Sequence, residues 1–221
     1  MEVITLQKVK RDKRVKSFLQ KADDNLAALG YTEHGFRHAE LVAEVARKIL
    51  QKLNYSYREQ ELGAISGYLH DMGNAINRVT HDTCSAILGE RILFDLGMAS
   101  EEIAEIVAAV GNHDENGGFP VSSISGALII ADKSDVHRSR VREKDPAAFD
   151  IHDRVNYAAE DSKVEINSEE KSIALRLEID TELVSVMEYF EIFLERMIMC
   201  RRAAKALNCY FNLFINSSRL L

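Results

Sequence analysis

The sequence predicts a mainly α protein, a helical bundle that is followed by a small α+β appendage. Apolar residues recur at helical spacing through most of the first 145 residues. Only two prolines occur in the 221 residues, so long helices are rarely interrupted. After Pro146 the apolar residues alternate with polar ones, which is typical of β-strands. We therefore expect a helical domain over residues 1–150 and the appendage over residues 151–221.

Each predicted helix of the first part carries an apolar stripe. In the first of them, His38, Val42 and Ile49 stand at i, i+4 and i+11, on one helical face. Ser100 opens a later helix, because a serine followed by two glutamates favours a helix N-terminus. The predicted helices of this part cover residues 37–53, 58–70, 81–97, a segment that begins at Ser100, and residues 122–142.

The appendage is predicted to combine strands with one long helix. Alternating residues over 163–180, with "NSEEK" as the turn, predict a β-hairpin. Thr181 is expected to cap an amphipathic helix that runs to about residue 207, and Asn208 is expected to end it. Residues 209–216 favour a third strand beside the hairpin. The outer face of the long helix is moderately apolar, which favours burial against a partner or a second copy in a homodimer.

Composition excludes several classes of protein from our expectations. A net charge of −7 argues against general nucleic-acid binding through bulk charge. The three cysteines form no CxxC pair, so neither a disulfide framework nor a thiolate zinc site is predicted. No apolar run approaches the ~20 residues that span a bilayer, and the N-terminus is too polar for a signal peptide. These observations predict a cytoplasmic protein.

A set of histidines and aspartates falls on the stripes that the helices are expected to bury. Buried groups of this kind are costly unless a cation shares them. Without thiolates, such ligands suit Fe, Mn, Zn, Co or Ni. Six of them suit two divalent ions, with the first aspartate bridging through its two oxygens. The predicted ligands are His38, His70, Asp71, His81, His113 and Asp132.

Four of the 7 histidines are followed directly by aspartate, at positions 70, 81, 113 and 152. The first pair is predicted to supply two ligands, and the next two pairs mainly their histidines. The roles of Asp82 and Asp114 stay open. The fourth pair, His152–Asp153, lies in a stretch without an apolar helical stripe, so a structural role is expected. His137 is expected not to be a ligand, and His34 is expected to be a loop residue.

The order of these residues resembles the H…HD…D signature of the HD-domain metal-dependent phosphohydrolases. His38, the pair in "LHDMGN" and the aspartate in "IIADK" carry this resemblance, which covers roughly residues 30–142. His81 and His113 match the two further histidines of the binuclear subset. "NHDENGGFP" is distantly similar to the "HHExxDGxGYP" stretch of the cyclic-dinucleotide phosphodiesterase branch, from which it departs at Asn112 and Phe119.

The resemblance implies an HD-domain helical fold and the hydrolysis of a nucleotide or other small phosphate ester by a metal-bound hydroxide. The first metal would take His38, His70, Asp71 and Asp132. The second would share Asp71 and take His81 and His113. Asp71 and Lys133 are the expected catalytic residues.

Basic residues near the ligands are candidates for contact with the substrate phosphate. Lys133 and Arg78 are predicted to bind it, because both lie close to ligands in sequence. Arg140 and Arg142 are expected at the surface, paired with nearby acidic residues. Asp135 is expected to orient a ligand histidine or to hold Lys133.

Two alternatives use the same ligands. One is an HD-fold diiron oxygenase, which needs nearly the same four histidines and two aspartates. The other is a metal-containing regulatory binding module with little turnover, whose C-terminal hairpin and helix form the partner surface. Lys133 and the nearby arginines favour a phosphate substrate over the oxygenase.

Overall fold

The structure is a computed structural model that describes residues 3–221. Within this range, no helix combines the length and the hydropathy that a membrane crossing needs. The α-helices are α1 Leu6–Arg11, α2 Lys13–Ala28, α3 Phe36–Lys52, α4 Tyr57–Leu69, α5 His81–Asp95, α6 Ser100–Gly111, α7 Ser123–Lys133, α8 Ile151–Ala158 and α9 Val186–Ala206. The strands are β1 Ala159–Asn167, β2 Ser172–Ile179, β3 Tyr210–Ile215 and β4 Ser218–Arg219. Short 3-10 turns cover Met72–Ala75, Arg138–Arg140 and Pro146–Ala148.

Helices α3 and α4 pack against each other near the site. α4 begins at a capping box, in which the Ser56 hydroxyl accepts from the Glu59 amide and the Glu59 carboxylate accepts from the Ser56 amide. Gly67, near the end of α4, lies directly against α3. A Cβ atom at Gly67 would lie 2.9 Å from the backbone of Ala43, so only glycine permits this approach. The close packing places His38 of α3 opposite His70, which directly follows α4.

The C-terminal part is a four-stranded sheet with one crossover helix. β1 and β2 form an antiparallel hairpin in which Val164 stands opposite Leu175. β3 runs parallel to β2, and β4 closes the sheet in the order β1-β2-β3-β4. A parallel neighbour requires a crossover connection, which α9 supplies. α9 packs on α7 so closely that a Cβ atom at Gly126 would lie 2.8 Å from the Ala203 carbonyl oxygen.

One hydrophobic core runs through both parts of the chain. It extends from Ile4 to Ile215 and includes Val42, Leu128 and Phe193, all of them buried. The core therefore crosses the boundary that the sequence predicts at residue 150.

The prediction of a mainly α protein with a small C-terminal α+β appendage is confirmed. The hairpin and the third strand form where they are expected, and Asn208 has the left-handed conformation, with φ of 56°. The helix predicted over 122–142 is wrong beyond Lys133. There, tertiary hydrogen bonds replace helical ones, since Asp135 bonds to His38 and Arg140 bonds to the Glu33 carbonyl.

Two further boundaries differ from the prediction. α9 begins at Val186 rather than after Thr181, because Ser185 and Glu188 form a capping box at that point. Residues 151–158, for which no helix is predicted, form α8. Asp150 caps α8 by accepting from the Asp153 amide, and the helix is too short for its stripe to be evident in the sequence.

Candidate metal centre

The six predicted ligands meet in the interior of the helical part. His38 lies in the first turn of α3, and His70 and Asp71 end α4. His81 is the first residue of α5, His113 follows α6, and Asp132 is the penultimate residue of α7. The side chains are buried, apart from a small exposed fraction of Asp132. Five helices thus bring residues from distant parts of the sequence to one point.

All four histidines point Nε2 into the cluster and place Nδ1 against an oxygen atom outside it. Each Nδ1 contacts an oxygen that only accepts hydrogen bonds, so Nδ1 carries the proton and Nε2 carries a lone pair. The Nε2 atoms of His38 and His70 lie 3.2 Å apart, as do those of His81 and His113. Two lone pairs at this distance repel unless a cation or a proton lies between them. The acceptors are Asp135 Oδ2 for His38 (2.6 Å), Gly67 O for His70 (2.8 Å), Arg78 O for His81 (2.8 Å) and Val110 O for His113 (2.7 Å).

Asp71 lies between the two histidine pairs. Its Oδ2 is 3.6 Å from His38 Nε2 and 3.5 Å from His70 Nε2. Its Oδ1 is 3.5 Å from His81 Nε2 and 4.0 Å from His113 Nε2. The Asn74 amide donates to Oδ1 at 2.9 Å and fixes the carboxylate. Each oxygen of Asp71 therefore faces one histidine pair, which is the arrangement of a bridging ligand.

Each histidine pair has a second carboxylate beside it. Asp132 Oδ1 lies 3.4 Å from His38 Nε2 and 3.6 Å from His70 Nε2. Asp114 Oδ2 lies 3.6 Å from His81 Nε2, while its other oxygen accepts from the Asn116 backbone amide. The sequence left the role of Asp114 open. The only feature of the sequence that could have indicated a role for Asp114 is its position directly after His113. Three overlapping sets of these donors lie close enough together to hold a metal ion, and nitrogen and oxygen donors suit divalent transition metals. The sets are His38, His70 and Asp71; His70, His113 and Asp132; and Asp71, His81 and His113.

The electrostatics of the cluster favour cations. Burial alone would raise the pKa of Asp71, but the surrounding histidines, His70 foremost, hold it well below its usual range. Burial and the neighbouring histidines lower the pKa of His113 to about 3. At His38, burial and Arg140 oppose protonation, but hydrogen bonds to Asp132 and Asp135 raise the pKa to about 9. Ionised carboxylates thus surround the inner nitrogens and stabilise positive charge there, whether a proton on His38 or a metal ion.

Lys133 is buried and already paired. Its Nζ lies 2.8 Å from Asp132 Oδ2 and 2.6 Å from Glu115 Oε2. Burial lowers the pKa of Lys133, but these two carboxylates outweigh it and raise the pKa above its ordinary value. Glu115 also accepts from Arg196 of α9 at 2.8 Å. The lysine therefore fixes the Asp132 carboxylate, and Glu115 connects Lys133 to the C-terminal part.

A cavity of about 360 Å³ adjoins the cluster. A narrow crevice leads to the cluster, and four residues line both spaces, namely His34, Arg78, Arg140 and Arg196. Arg78, predicted to bind phosphate, is thus placed between the cluster and the cavity. His34, expected to be a loop residue, does lie in a loop, and its ring packs 5.3 Å from that of His38.

Several other expectations for residues outside the cluster are corrected or refined. Arg140 is only 4% exposed and lies 3.6 Å from Asp135, because the chain turns inward after α7. Arg142 pairs with Asp23 of α2 rather than with a sequence neighbour. His152 lies away from the cluster and lines the cavity. His137 is also outside the cluster and bonds to the Glu160 carbonyl.

Comparison with known proteins identifies one family. The model of the HD domain matches residues 35–155, which is more than half of the chain. An uncharacterized protein of Methanocaldococcus jannaschii is 30% identical over 198 residues, which cover 78% of this chain and 74% of the relative. The matched family region contains every residue of the three donor sets.

Two solved structures are also similar. A protein described as a predicted HD superfamily hydrolase, from an uncultured Thermotogales bacterium, is 20% identical, with a TM-score of 0.46. The match covers 61% of this chain and 75% of that one. A Lactobacillus plantarum protein is 17% identical, with a TM-score of 0.46 and 89% of both chains covered.

Proposed function

The chain belongs to the HD-domain family, and we propose that it is a metal-dependent phosphohydrolase that acts on a nucleotide or other small phosphate ester. One observation carries the proposal: two pairs of histidine Nε2 atoms face the two oxygens of Asp71. Two buried imidazole nitrogens 3.2 Å apart repel each other unless a cation or a proton lies between them, and two bound metal ions would account for both pairs.

The donor groups fit two divalent ions. His38, His70, Asp132 and one oxygen of Asp71 would hold the first ion. His81, His113, Asp114 and the other oxygen of Asp71 would hold the second. When bound, such ions polarise a phosphoryl oxygen and lower the pKa of water. Iron, manganese, zinc, cobalt and nickel all accept this set of nitrogen and oxygen ligands.

Basic residues of the chain support phosphate as the group that is bound. Lys133 holds Asp132 in place. We propose that the N–H of its ammonium group that is not directed at Asp132 or Glu115 donates to the phosphate. Arg78 lies beside the cluster, and in the described part of the chain no carboxylate lies within ion-pair distance of it. An arginine without a carboxylate partner, next to a metal site, suits a phosphate oxygen. Phe193 and Arg196 of α9 also line the cavity.

The proposal is tested by metal analysis together with a panel of phosphate esters. Protein purified without chelator is expected to contain up to two transition-metal ions per chain. It is expected to release phosphate, or to cleave a diester, at the same rate under air and under argon. Oxygen consumption by an iron-loaded sample would favour the diiron oxygenase instead. Bound metal with no turnover of any ester would favour the regulatory binding module.

The Asp71→Ala variant tests the ligand assignment directly. Both donor groups lose an oxygen in this variant, so we expect metal content and phosphate release to fall to background. Asp82→Asn is the matched control, because Asp82 also follows a histidine of the cluster but lies outside both donor groups. Phosphate release that survives Asp71→Ala would contradict the assignment.

A further inference from the structure

The loop between α6 and α7 carries two residues assigned to the second ion, His113 and Asp114. The loop turns tightly at this point. The Gly118 amide donates to the Asp114 carbonyl at 3.0 Å, and a Cβ atom at Gly118 would lie 2.5 Å from that carbonyl oxygen. Asp114 Oδ1 also accepts from the Asn116 amide at 2.8 Å. Glu115 lies inside this turn, so a contact that holds Glu115 also holds the two residues before it.

Glu115 is also connected to a ligand of the first ion. Its Oε2 lies 2.6 Å from Lys133 Nζ, and the same ammonium lies 2.8 Å from Asp132 Oδ2. The three side chains are largely shielded from water, where the attraction between charges is stronger than at the surface. These ion pairs join the loop of the second donor group to the Asp132 carboxylate of the first.

Arg196 of α9 adds a third ion pair at the Glu115 end. Its Nε donates to Glu115 Oε1 at 2.8 Å, and its guanidinium carbon lies 4.9 Å from the centroid of the Phe193 ring. Phe193 is buried, so its ring gives the guanidinium a fixed surface. Arg196 also lines the crevice that leads to the cluster, together with Asp132 and Lys133. The C-terminal part of the chain therefore reaches the proposed metal centre through this side chain.

The four side chains alternate in charge, in the order Arg196, Glu115, Lys133 and Asp132. Burial raises the pKa of Glu115, but Lys133 and Arg196 outweigh it and lower the pKa to about 2. Because Glu115 has two cations beside it, it stays ionised without drawing Lys133 away from Asp132. Without Arg196, one ammonium is left for two buried carboxylates, and both are then held less firmly.

Resting on the proposed function, we infer that Arg196 is a positioning residue of the metal centre. By holding Glu115, it fixes the loop that carries two ligands of the second ion, and through Lys133 it fixes the Asp132 carboxylate. The effect is larger for the second ion, because only one ligand of the first ion depends on these ion pairs. Arg196 lies outside residues 35–155, the region that the HD-domain model matches, so the C-terminal part completes a centre whose ligands all lie within that region.

A purely structural role for Arg196 would affect folding rather than metal binding. Its side chain is 24% exposed, and partly exposed ion pairs contribute little to stability. The metal-free Arg196→Gln protein is therefore expected to unfold at nearly the same denaturant concentration as the metal-free wild-type protein. Metal affinity depends instead on the position of each ligand, and loss of a residue that orients a ligand typically lowers it about 10- to 100-fold.

Two measurements on the metal-loaded protein test the inference without turnover. Competition with a chromophoric chelator gives the Zn²⁺ affinities of both sites, and the visible spectrum of the Co²⁺-loaded protein reports the geometry of the ligands. In Arg196→Gln, the affinity for the second ion is expected to fall about tenfold or more, the affinity for the first ion is expected to fall less, and the Co²⁺ spectrum is expected to change. His81→Ala removes a ligand of the second ion outside the loop, so it identifies which affinity belongs to that site.

Further variants separate loss of the ion pair from loss of the side chain. Arg196→Lys keeps a cation near Glu115 and is expected to retain most of the affinity. Glu115→Gln is expected to lower the affinity at least as much as Arg196→Gln does. Arg196→Gln should then add little in the Glu115→Gln protein, because both changes break the same contact. Arg201→Gln is the matched control, since Arg201 is exposed on the same helix and no carboxylate among residues 3–221 lies within ion-pair distance of it.

Unchanged Zn²⁺ affinities and an unchanged Co²⁺ spectrum in folded Arg196→Gln would overturn the inference. Equal losses in Arg201→Gln would overturn it as well. If Arg196→Gln does not fold, Glu115→Gln decides through the same two measurements, and unchanged values there would overturn the inference. Wild-type protein that binds metal but hydrolyses no ester would contradict the proposed function alone. Wild-type protein that binds no metal would contradict both.

Discussion

At the scale of single residues, two different kinds of hydrogen bond orient the four clustered imidazoles. His70, His81 and His113 each donate to the carbonyl of the residue three positions earlier, so the local chain fixes these rings. His38 makes no such bond, and the carbonyl three positions before it, that of Gly35, accepts from the Ala39 amide. His38 donates instead to Asp135, which is 97 residues away and is also held by Arg37. The first donor group therefore depends on a long-range contact that the second lacks.

This difference predicts that Asp135→Asn weakens metal binding at the first donor group more than at the second. The neutral amide is a weaker acceptor for the His38 Nδ1–H, so His38 is held less firmly and is less basic. We expect affinity for the first metal to fall by about 10- to 100-fold, as is typical of partners that orient a metal ligand. Competition with a chromophoric chelator measures the two affinities. The second site is expected to change little.

Asp145→Asn is the control for that change, because Asp145 is exposed and caps a turn that asparagine also caps. Equal loss of both metals in Asp135→Asn, or no loss at all, would contradict the role given to Asp135.

At the scale of elements, the contact between α3 and α4 determines the distance between the first two histidines. Gly67 lies at this contact, one turn before His70, and its missing Cβ lets the helix backbones approach. The neighbours of Gly67 in α3 are backbone atoms of Val42 and Ala43, which do not move independently of the helix. The distance between His38 and His70 therefore depends on how closely α3 and α4 pack at Gly67.

Gly67→Ala is expected to separate these helices. The added methyl group overpacks a buried contact, and we expect a loss of about 1–3 kcal/mol in the free energy of unfolding, together with weaker metal binding. Gly89→Ala is the matched control, since a Cβ atom there would meet only Leu69 Cδ1 at 3.8 Å. In the middle of α5, that change is expected to stabilise the protein by about 0.5–1 kcal/mol. Denaturant unfolding measures the free energy of unfolding of both variants. Equal changes in the two variants would contradict the role given to Gly67.

At the scale of the whole molecule, the cluster lies where the helices of the bundle converge, and it joins α3, α4, α5, α7 and the segment after α6. Metal bound at this point would connect elements that are far apart in sequence. The chain also reaches the cluster from its C-terminal part, through the Arg196–Glu115–Lys133 chain of ion pairs. Loss of metal should therefore affect the entire fold.

Removal of metal is expected to lower the Tm. A ligand that binds only the native state stabilises it by about 2.7 kcal/mol at 100 times its Kd. For a chain of this length that corresponds to a fall in Tm of about 5 °C or more after chelation. Differential scanning calorimetry before and after dialysis against chelator measures the change, and added metal should restore the Tm. Asp71→Ala should not respond to the chelator. An unchanged Tm in wild-type protein that has lost its metal would contradict the prediction.

The sequence by itself determined the fold class, most helices of the first part and the hairpin. It also showed that the six predicted ligands follow one family pattern. Helical periodicity and the identities of His and Asp are properties of neighbouring residues, so they are evident without coordinates. For the same reason, Asn208 was predictable as a left-handed C-cap.

Only the tertiary structure decided the end of α7, the burial of Arg140 and the contribution of α8 and α9 to the cavity. Each depends on a contact between residues far apart in the chain, such as Arg140 with Glu33 or Arg196 with Glu115. Asp114 and His152 show the same limit, because both sit in His–Asp pairs that look alike in sequence. The packing of distant helices, which no local pattern contains, places Asp114 beside the cluster and His152 at the cavity.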